Sequence, residues 1–217
     1  MKKKVLTALL LCVVGVLTAS AQNTIESIRK KYQGVQEWIG EMSDNFPSEG
    51  IPSEYYHLHV AQNLPGTGPH HENVRMYYGE EDGEEGEVYP PHYLEFVTAK
   101  YNFAAREFYE EYLYDDKGNV MFIYALTPDV LDNCDLVPYE LRMWFDGKRL
   151  LQFVIKKVEG FEDQDGIDIA TLRKASFKQE YAGKSIPKQY RSETDRCRER
   201  AKRFLDLFKS IDGNTYK

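Results

Sequence analysis

The sequence has little cysteine and none of the short motifs that mark common enzyme classes. Three cysteines occur in 217 residues without a Cys-x-x-Cys pair, which excludes a redox dithiol motif and a zinc knuckle. There is no Gly-x-Ser-x-Gly elbow, no Gly-x-x-x-x-Gly-Lys-Ser/Thr phosphate loop and no His-Glu-x-x-His helix. The sequence therefore identifies no reaction, and function must be inferred from its charge, histidine and aromatic patterns.

One long apolar run is present, and it predicts a secretory signal peptide. Lysines at positions 2–4 precede the apolar run Val5–Leu17, and Ala19-Ser20-Ala21 offers the small residues that signal peptidase reads. The run is shorter than the roughly 20 residues of a membrane-spanning helix. We expect a periplasmic or secreted protein, cleaved after Ala21, whose mature domain at 22–217 does not insert into a membrane.

The expected mature chain is acidic. Removing residues 1–21 takes away three of 28 basic residues and leaves 25 against 35 acidic ones, a net charge of −10. Such a surface repels phosphate backbones, so we expect no nucleic-acid partner. Cys134 and Cys197 remain, and the sequence leaves open whether they form a disulfide or stay free thiols.

Hydrophobic periodicity predicts a helix, a run of strands and a second helix. Apolar residues at helical spacing predict helices from Thr24 to about Met42 and from about Ser192 to Gly213. Alternating segments between turn residues predict strands at Tyr55–Gln62, Val74–Tyr78, His92–Phe103, Glu107–Tyr114, Val120–Leu126, Tyr139–Phe145 and Arg149–Lys156. The fold class is therefore α+β: an antiparallel meander of about six to seven strands, with both helices on its apolar face.

The five histidines lie within one short stretch, between positions 57 and 92. His57 and His59 are two residues apart on a predicted strand and so share a face. With His70 from the following loop they could bind zinc or copper. Uncoordinated surface histidines are the alternative interpretation.

Aromatic residues and carboxylates offer further candidates. Aromatic rings stack on sugars and anchor protein interfaces, so Tyr112, Tyr114 and Trp144 are candidate ligand-binding residues, with core packing as the alternative. Glu110 and Glu111 are neighbours on one predicted strand and point to opposite faces, so they form no catalytic dyad. We expect both to be surface charges.

Four segments carry a resemblance to a protein family. Tyr89–Leu94, Arg106–Asp115, Asn63–Gly68 and the hairpin at Trp144–Gly147 resemble uncharacterised secreted proteins of Bacteroidales-type gut bacteria. The resemblance implies export, and it implies no activity and no site residue.

Three functions are consistent with these patterns. The first is an exported, non-enzymatic binding protein whose partner is a protein or a glycan. The second is a periplasmic metal-binding protein that uses the histidines, and the third is a hydrolase without a recognisable motif.

Overall fold

A computed structural model describes residues 24–45, 55–81, 90–104, 106–127, 137–159 and 169–215. Within these ranges the elements are α1 (Ile25–Asn45), β1 (Tyr55–Leu64), β2 (Gly68–Glu80), β3 (His92–Phe103), β4 (Arg106–Tyr114), β5 (Val120–Thr127), β6 (Tyr139–Asp146), β7 (Arg149–Val158), α2 (Ile169–Leu172), β8 (Phe177–Gly183), a 3₁₀ turn (Lys188–Tyr190) and α3 (Arg191–Thr215). The predicted signal peptide and Cys134 lie outside the described residues.

The strands form one antiparallel sheet in which sequence order is also spatial order, from β1 to β8. This confirms the predicted α+β meander with an N-terminal and a C-terminal helix packed on it. The described sheet has eight strands rather than six or seven. The additional strand, β8, is half exposed and mostly polar, so it lacks the hydrophobic alternation by which a strand is recognised.

The two long helices cover opposite faces of the sheet, whereas one shared face was expected. In β6, the side chains of Leu141 and Met143 pack with residues of α3, and Trp144 packs with residues of α1. Several strands are apolar on both faces, and each apolar face has to be buried. The result is a three-layer arrangement of helix, sheet and helix.

Helix α1 begins at a reciprocal cap. The Ser27 backbone N–H donates to Thr24 Oγ1 (3.1 Å), and the Thr24 N–H donates to Ser27 Oγ (3.0 Å). Ile28, Val35 and Met42 recur on the buried side of the helix, as the periodicity predicts. Burying each of these side chains stabilises the packing by up to about 1.5–3 kcal/mol.

Helix α3 starts at Arg191 and continues through Gly213 to Thr215. Its apolar stripe of Cys197, Ala201, Phe204 and Phe208 is buried against the sheet. Among the described residues, no helix is both long and apolar enough to cross a membrane.

Candidate binding groove beside the N-terminal helix

Helix α1 covers part of its sheet face, and the part that it covers is apolar. Side chains that are directly paired from β1 to β6 form an apolar row beneath the helix. This row consists of Tyr55, Tyr77, Phe96, Leu113, Phe122 and Trp144. All six take part in the hydrophobic cluster that includes α1, so the row fixes the position of the helix on the sheet.

The next row on the same face is polar in every strand. We call it the polar row, and it consists of His57, Arg75, Thr98, Glu111, Tyr124 and Arg142, each paired with the next across adjacent strands. Side chains two residues apart on a strand share a face, so this row lies directly beside the apolar row. At about 4.8 Å per strand, the row is about 24 Å long.

A groove follows the polar row between α1 and the segment just after α2. One part, of about 310 Å³, is lined by Tyr32, Glu111, Phe122, Tyr124, Glu140, Arg142 and Arg173. The other part, of about 410 Å³, is lined by Gln36, Ile39, His57, Asn73, Arg75, Tyr77, Phe96, Thr98, Lys100, Tyr109 and Arg173. Arg173 belongs to both parts, so we treat them as one feature, the polar groove.

Glu111 is a buried carboxylate held by two phenols. Tyr32 Oη donates to Glu111 Oε2 (2.5 Å), and Tyr109 Oη donates to Glu111 Oε1 (2.7 Å). Burial, reinforced by the Glu111 carboxylate, raises the pKa of Tyr32 and of Tyr109. Both phenols therefore keep their protons and fix the orientation of the carboxylate.

Glu140 is the second buried carboxylate of the groove. Its Oε1 accepts a hydrogen bond from Arg142 Nη2 (2.7 Å) and lies 3.5 Å from Lys156 Nζ. Burial first, and then the Glu140 charge, raises the pKa of Tyr124. Tyr124 thus remains a neutral aromatic residue that contributes both a ring and a hydroxyl group to the groove.

Two buried donors in the groove have no partner among the described residues. They are the amide nitrogen of Gln36 and the Nε of Arg142. Buried polar groups are nearly always hydrogen-bonded, so each unpaired one calls for an acceptor from water or a ligand. The two donors line different parts of the groove, which points to acceptors along its length.

The groove is cationic although the chain is acidic. Four of its lining residues are cationic, Arg75, Lys100, Arg142 and Arg173, against two carboxylates. Arg173 lies over the ring of Tyr109, with its guanidinium carbon 4.4 Å from the ring centroid. A positive groove on a negative protein favours an anionic ligand.

Glu110, on the opposite face, has no capacity left for a ligand. Its Oε1 accepts from Arg196 (2.7 Å) and Tyr101 (2.9 Å), and its Oε2 accepts from Arg200 (2.7 Å) and Tyr112 (2.6 Å). These four bonds use the lone pairs that a carboxylate offers. This network joins α3 to the sheet and is structural.

A larger cavity, of about 550 Å³, separates α3 from the β4–β5 and β6–β7 turns. Its charged lining residues include Lys148, Asp195 and Lys202. None of the buried unpaired polar atoms found among the described residues belongs to its lining. The polar groove is therefore the stronger candidate site.

The histidines proposed as metal ligands are separated by the sheet. His57 and His59 share a face of β1, as predicted, and His71 on β2 stacks against His59 with ring centroids 5.7 Å apart. His70 projects from the other face, where its Nδ1 lies 2.5 Å from the Asn102 carbonyl oxygen. Among the described residues, no group of three His, Cys, Asp or Glu side chains is placed to hold a metal ion.

The aromatic candidates lie in the core. Tyr112, Tyr114 and Trp144 are at most 4% exposed. Tyr112 and Tyr114 pack in the α3 cluster, and Trp144 belongs to the apolar row under α1. They stabilise the two layers, and of the three only Tyr114 reaches a cavity, the one between α3 and the turns.

The sequence pattern missed the site because its residues meet only through strand register. Glu110 and Glu111 do point to opposite faces, but both are buried rather than surface charges. The polar row takes one residue from each of six strands separated by 13 to 23 positions in the chain. The sequence pattern that would have revealed the polar row is a polar residue in each strand at a position whose side chain lies on the same sheet face as α1.

No protein-family model matches the chain, and neither the curated proteins nor the solved structures contain a match.

Proposed function

We propose that the protein is an exported binding protein that holds an acidic oligosaccharide in the polar groove. The observation that carries this proposal is a pair of buried donors, Gln36 and Arg142, to which no other described residue offers an acceptor, in a groove with a cationic excess. Export rests on the signal peptide predicted at residues 1–21, and mass spectrometry of the exported chain should find Gln22 at its N-terminus.

The chemistry of the groove suits sugars. Oriented carboxylates such as Glu111 accept hydrogen bonds from hydroxyl groups, while Arg142 and Lys100 donate to hydroxyl and carboxylate oxygens. Tyr124, which is only partly buried, supplies ring surface for the apolar side of a sugar. An extended row of about 24 Å fits an oligomer better than a single small molecule.

Calorimetric titration with an oligomer of galacturonic acid, alongside a neutral galactose oligomer of equal length, tests the proposal. We expect the acidic oligomer to bind more tightly, and its affinity to fall with added salt because exposed charges are screened. Arg142→Met should weaken binding at least about tenfold, since a hydrogen bond to a charged group is worth about 1.5–3 kcal/mol.

Arg149→Met is the matched control. Arg149 is an exposed arginine that pairs with Asp146 at the β6–β7 turn and does not line the groove. This variant should bind like the unmodified chain. Equal affinity for the acidic and neutral oligomers, or equal losses in the two arginine variants, would contradict the proposal.

A glycosidase is the second candidate, because Glu111 and Glu140 line the same part of the groove. Most glycosidases use two carboxyl groups, one of which gives a proton to the leaving group. Here Glu111 accepts hydrogen bonds from two phenols and Glu140 accepts one from Arg142. Carboxylates that are held in this way favour binding over catalysis. Prolonged incubation with the galacturonic acid oligomer separates the two functions, since an enzyme would shorten it.

A further inference from the structure

The two edges of the sheet differ in how well they are protected from pairing. The β8 edge is seven residues long, carries Lys178 and Glu180, and has a register shift opposite β7. The β1 edge is ten residues long and contains no Asp, Glu, Lys, Arg, proline or glycine, and its register with β2 is uninterrupted. Charges, short length and bulges are the usual protection against edge-to-edge pairing, and β1 has none of them.

The β1 edge is also flanked by exposed apolar surface. Val60 and Leu207 are 44% and 38% exposed, and both line a groove of about 390 Å³ between β1 and α3. Leu58 on β1 faces the same groove. Within the described ranges, β2 is the only strand that pairs with β1, so no described strand uses the outer backbone groups of β1.

We propose that β1 is the interface of a two-fold dimer, in which β1 of a second copy pairs antiparallel with it and the two sheets become one. In a two-fold antiparallel pair one residue meets its own copy at the centre. Centring the pair on Val60 buries the exposed valine against itself. It also sets Leu58 opposite Gln62, and Tyr56 opposite Leu64, on the α3 side.

The chemistry of the edge supports a second copy as the occupant. Two β1 strands bring no Asp, Glu, Lys or Arg side chain against one another, so neither strand carries the charges that commonly keep sheet edges apart. The flanking groove contains two arginines, Arg200 and Arg203, and two carboxylates, Glu72 and Asp206, so its charge is balanced. On the other face, the pairing places Asn63 of the second copy opposite His57, a lining residue of the polar groove.

Sedimentation velocity on the purified exported chain tests the dimer. Two variants place opposite charges at position 60, a lysine in one and a glutamate in the other. The unmodified chain should sediment with twice the mass of one chain. Val60→Lys and Val60→Glu should each raise the dimer dissociation constant at least about tenfold, because like charges then face each other at the axis. Mixing the two variants in equal amounts should restore the dimer as a heterodimer, which also shows that both are folded.

Phe103→Lys is the matched control. Phe103 is 54% exposed and lies at the end of β3, which β2 separates from β1. This variant should dimerise like the unmodified chain. A monomer at all concentrations, or a dimer that survives Val60→Lys, would overturn the proposal. Failure of the mixed variants to associate would do the same. None of these outcomes depends on a ligand in the polar groove.

Discussion

Replacing Glu110 by glutamine is expected to lower the free energy of unfolding by about 3 kcal/mol. Glu110 is 1% exposed and carries the charge that balances Arg196 and Arg200. Removing one partner of a buried ion pair costs about 3–5 kcal/mol, because the other charge is left without compensation. We expect the lower end of this range, since about a third of the Arg196 side chain remains in solvent and is screened.

The assay is urea unfolding followed by tryptophan fluorescence, with thermal unfolding as a second readout. A loss of about 3 kcal/mol corresponds to a fall of about 10 °C in Tm for a domain of this size. Glu107→Gln is the matched control, because Glu107 lies on the same strand but pairs with Lys100 at the surface (3.2 Å). It should cost less than about 1 kcal/mol. Equal losses in the two variants would refute the assignment of Glu110 as the buried anchor of α3.

The same network predicts how stability depends on pH. Burial alone would raise the pKa of Glu110, but Arg200 and Arg196 outweigh it and hold that pKa below its ordinary value. The ionised carboxylate therefore stabilises the fold above the unfolded-state pKa of about 4.3, and this contribution is lost as the pH falls through the folded-state pKa. The stability difference between the unmodified chain and Glu110→Gln should be constant from about pH 7 to pH 5 and shrink below about pH 4. A difference that grows on acidification would contradict this sign.

Three further predictions concern single residues. Gly118→Ala should lower thermal stability more than Gly147→Ala. Both glycines have positive φ, but a Cβ at Gly118 would lie 3.0 Å from a leucine of α3, whereas one at Gly147 would meet nothing within 4 Å. The reverse order of stability would contradict this account of the two turns. Tyr32→Phe should lower the free energy of unfolding in urea by about 1–3 kcal/mol, because Glu111 loses one of its two donors. An unchanged unfolding midpoint would show that this hydrogen bond is unimportant. Cys197 is buried with a pKa raised by burial, so a thiol reagent should label it only as the chain unfolds; rapid labelling of this site in the native state would be inconsistent with its burial.

The helices and most strands could be predicted because their signals are local. Six apolar residues of α1 follow helical spacing from Ile25 to Met42, and turn residues such as Gly147, with φ of 56°, mark the strand ends. The eighth strand escaped because its exposed edge position requires no apolar alternation. The opposite placement of α1 and α3 depends on which strand faces are buried, and that becomes visible only in the assembled sheet.

The candidate site could not be predicted in the same way, because it depends on register. Glu111, Tyr124 and Arg142 become neighbours only when β4, β5 and β6 pair as they do, and a shift of one residue would send a side chain to the other face. The histidine pattern, which is local, correctly predicted that His57 and His59 share a face. It could not predict that His70 would lie on the other side of the sheet.

Nitrogen-edited proton NMR of the chain during titration with the galacturonic acid oligomer tests the binding groove most directly. The method observes the Nε–H of Arg142 and the side-chain amide of Gln36, the two buried groove donors without a partner in the described part of the chain. The proposal predicts that both signals shift together and saturate with the oligomer, because each gains an acceptor. The exposed Arg149 Nε–H serves as the internal reference and should not move. Binding that leaves the Arg142 and Gln36 signals in place would contradict the assignment of the groove as the ligand site.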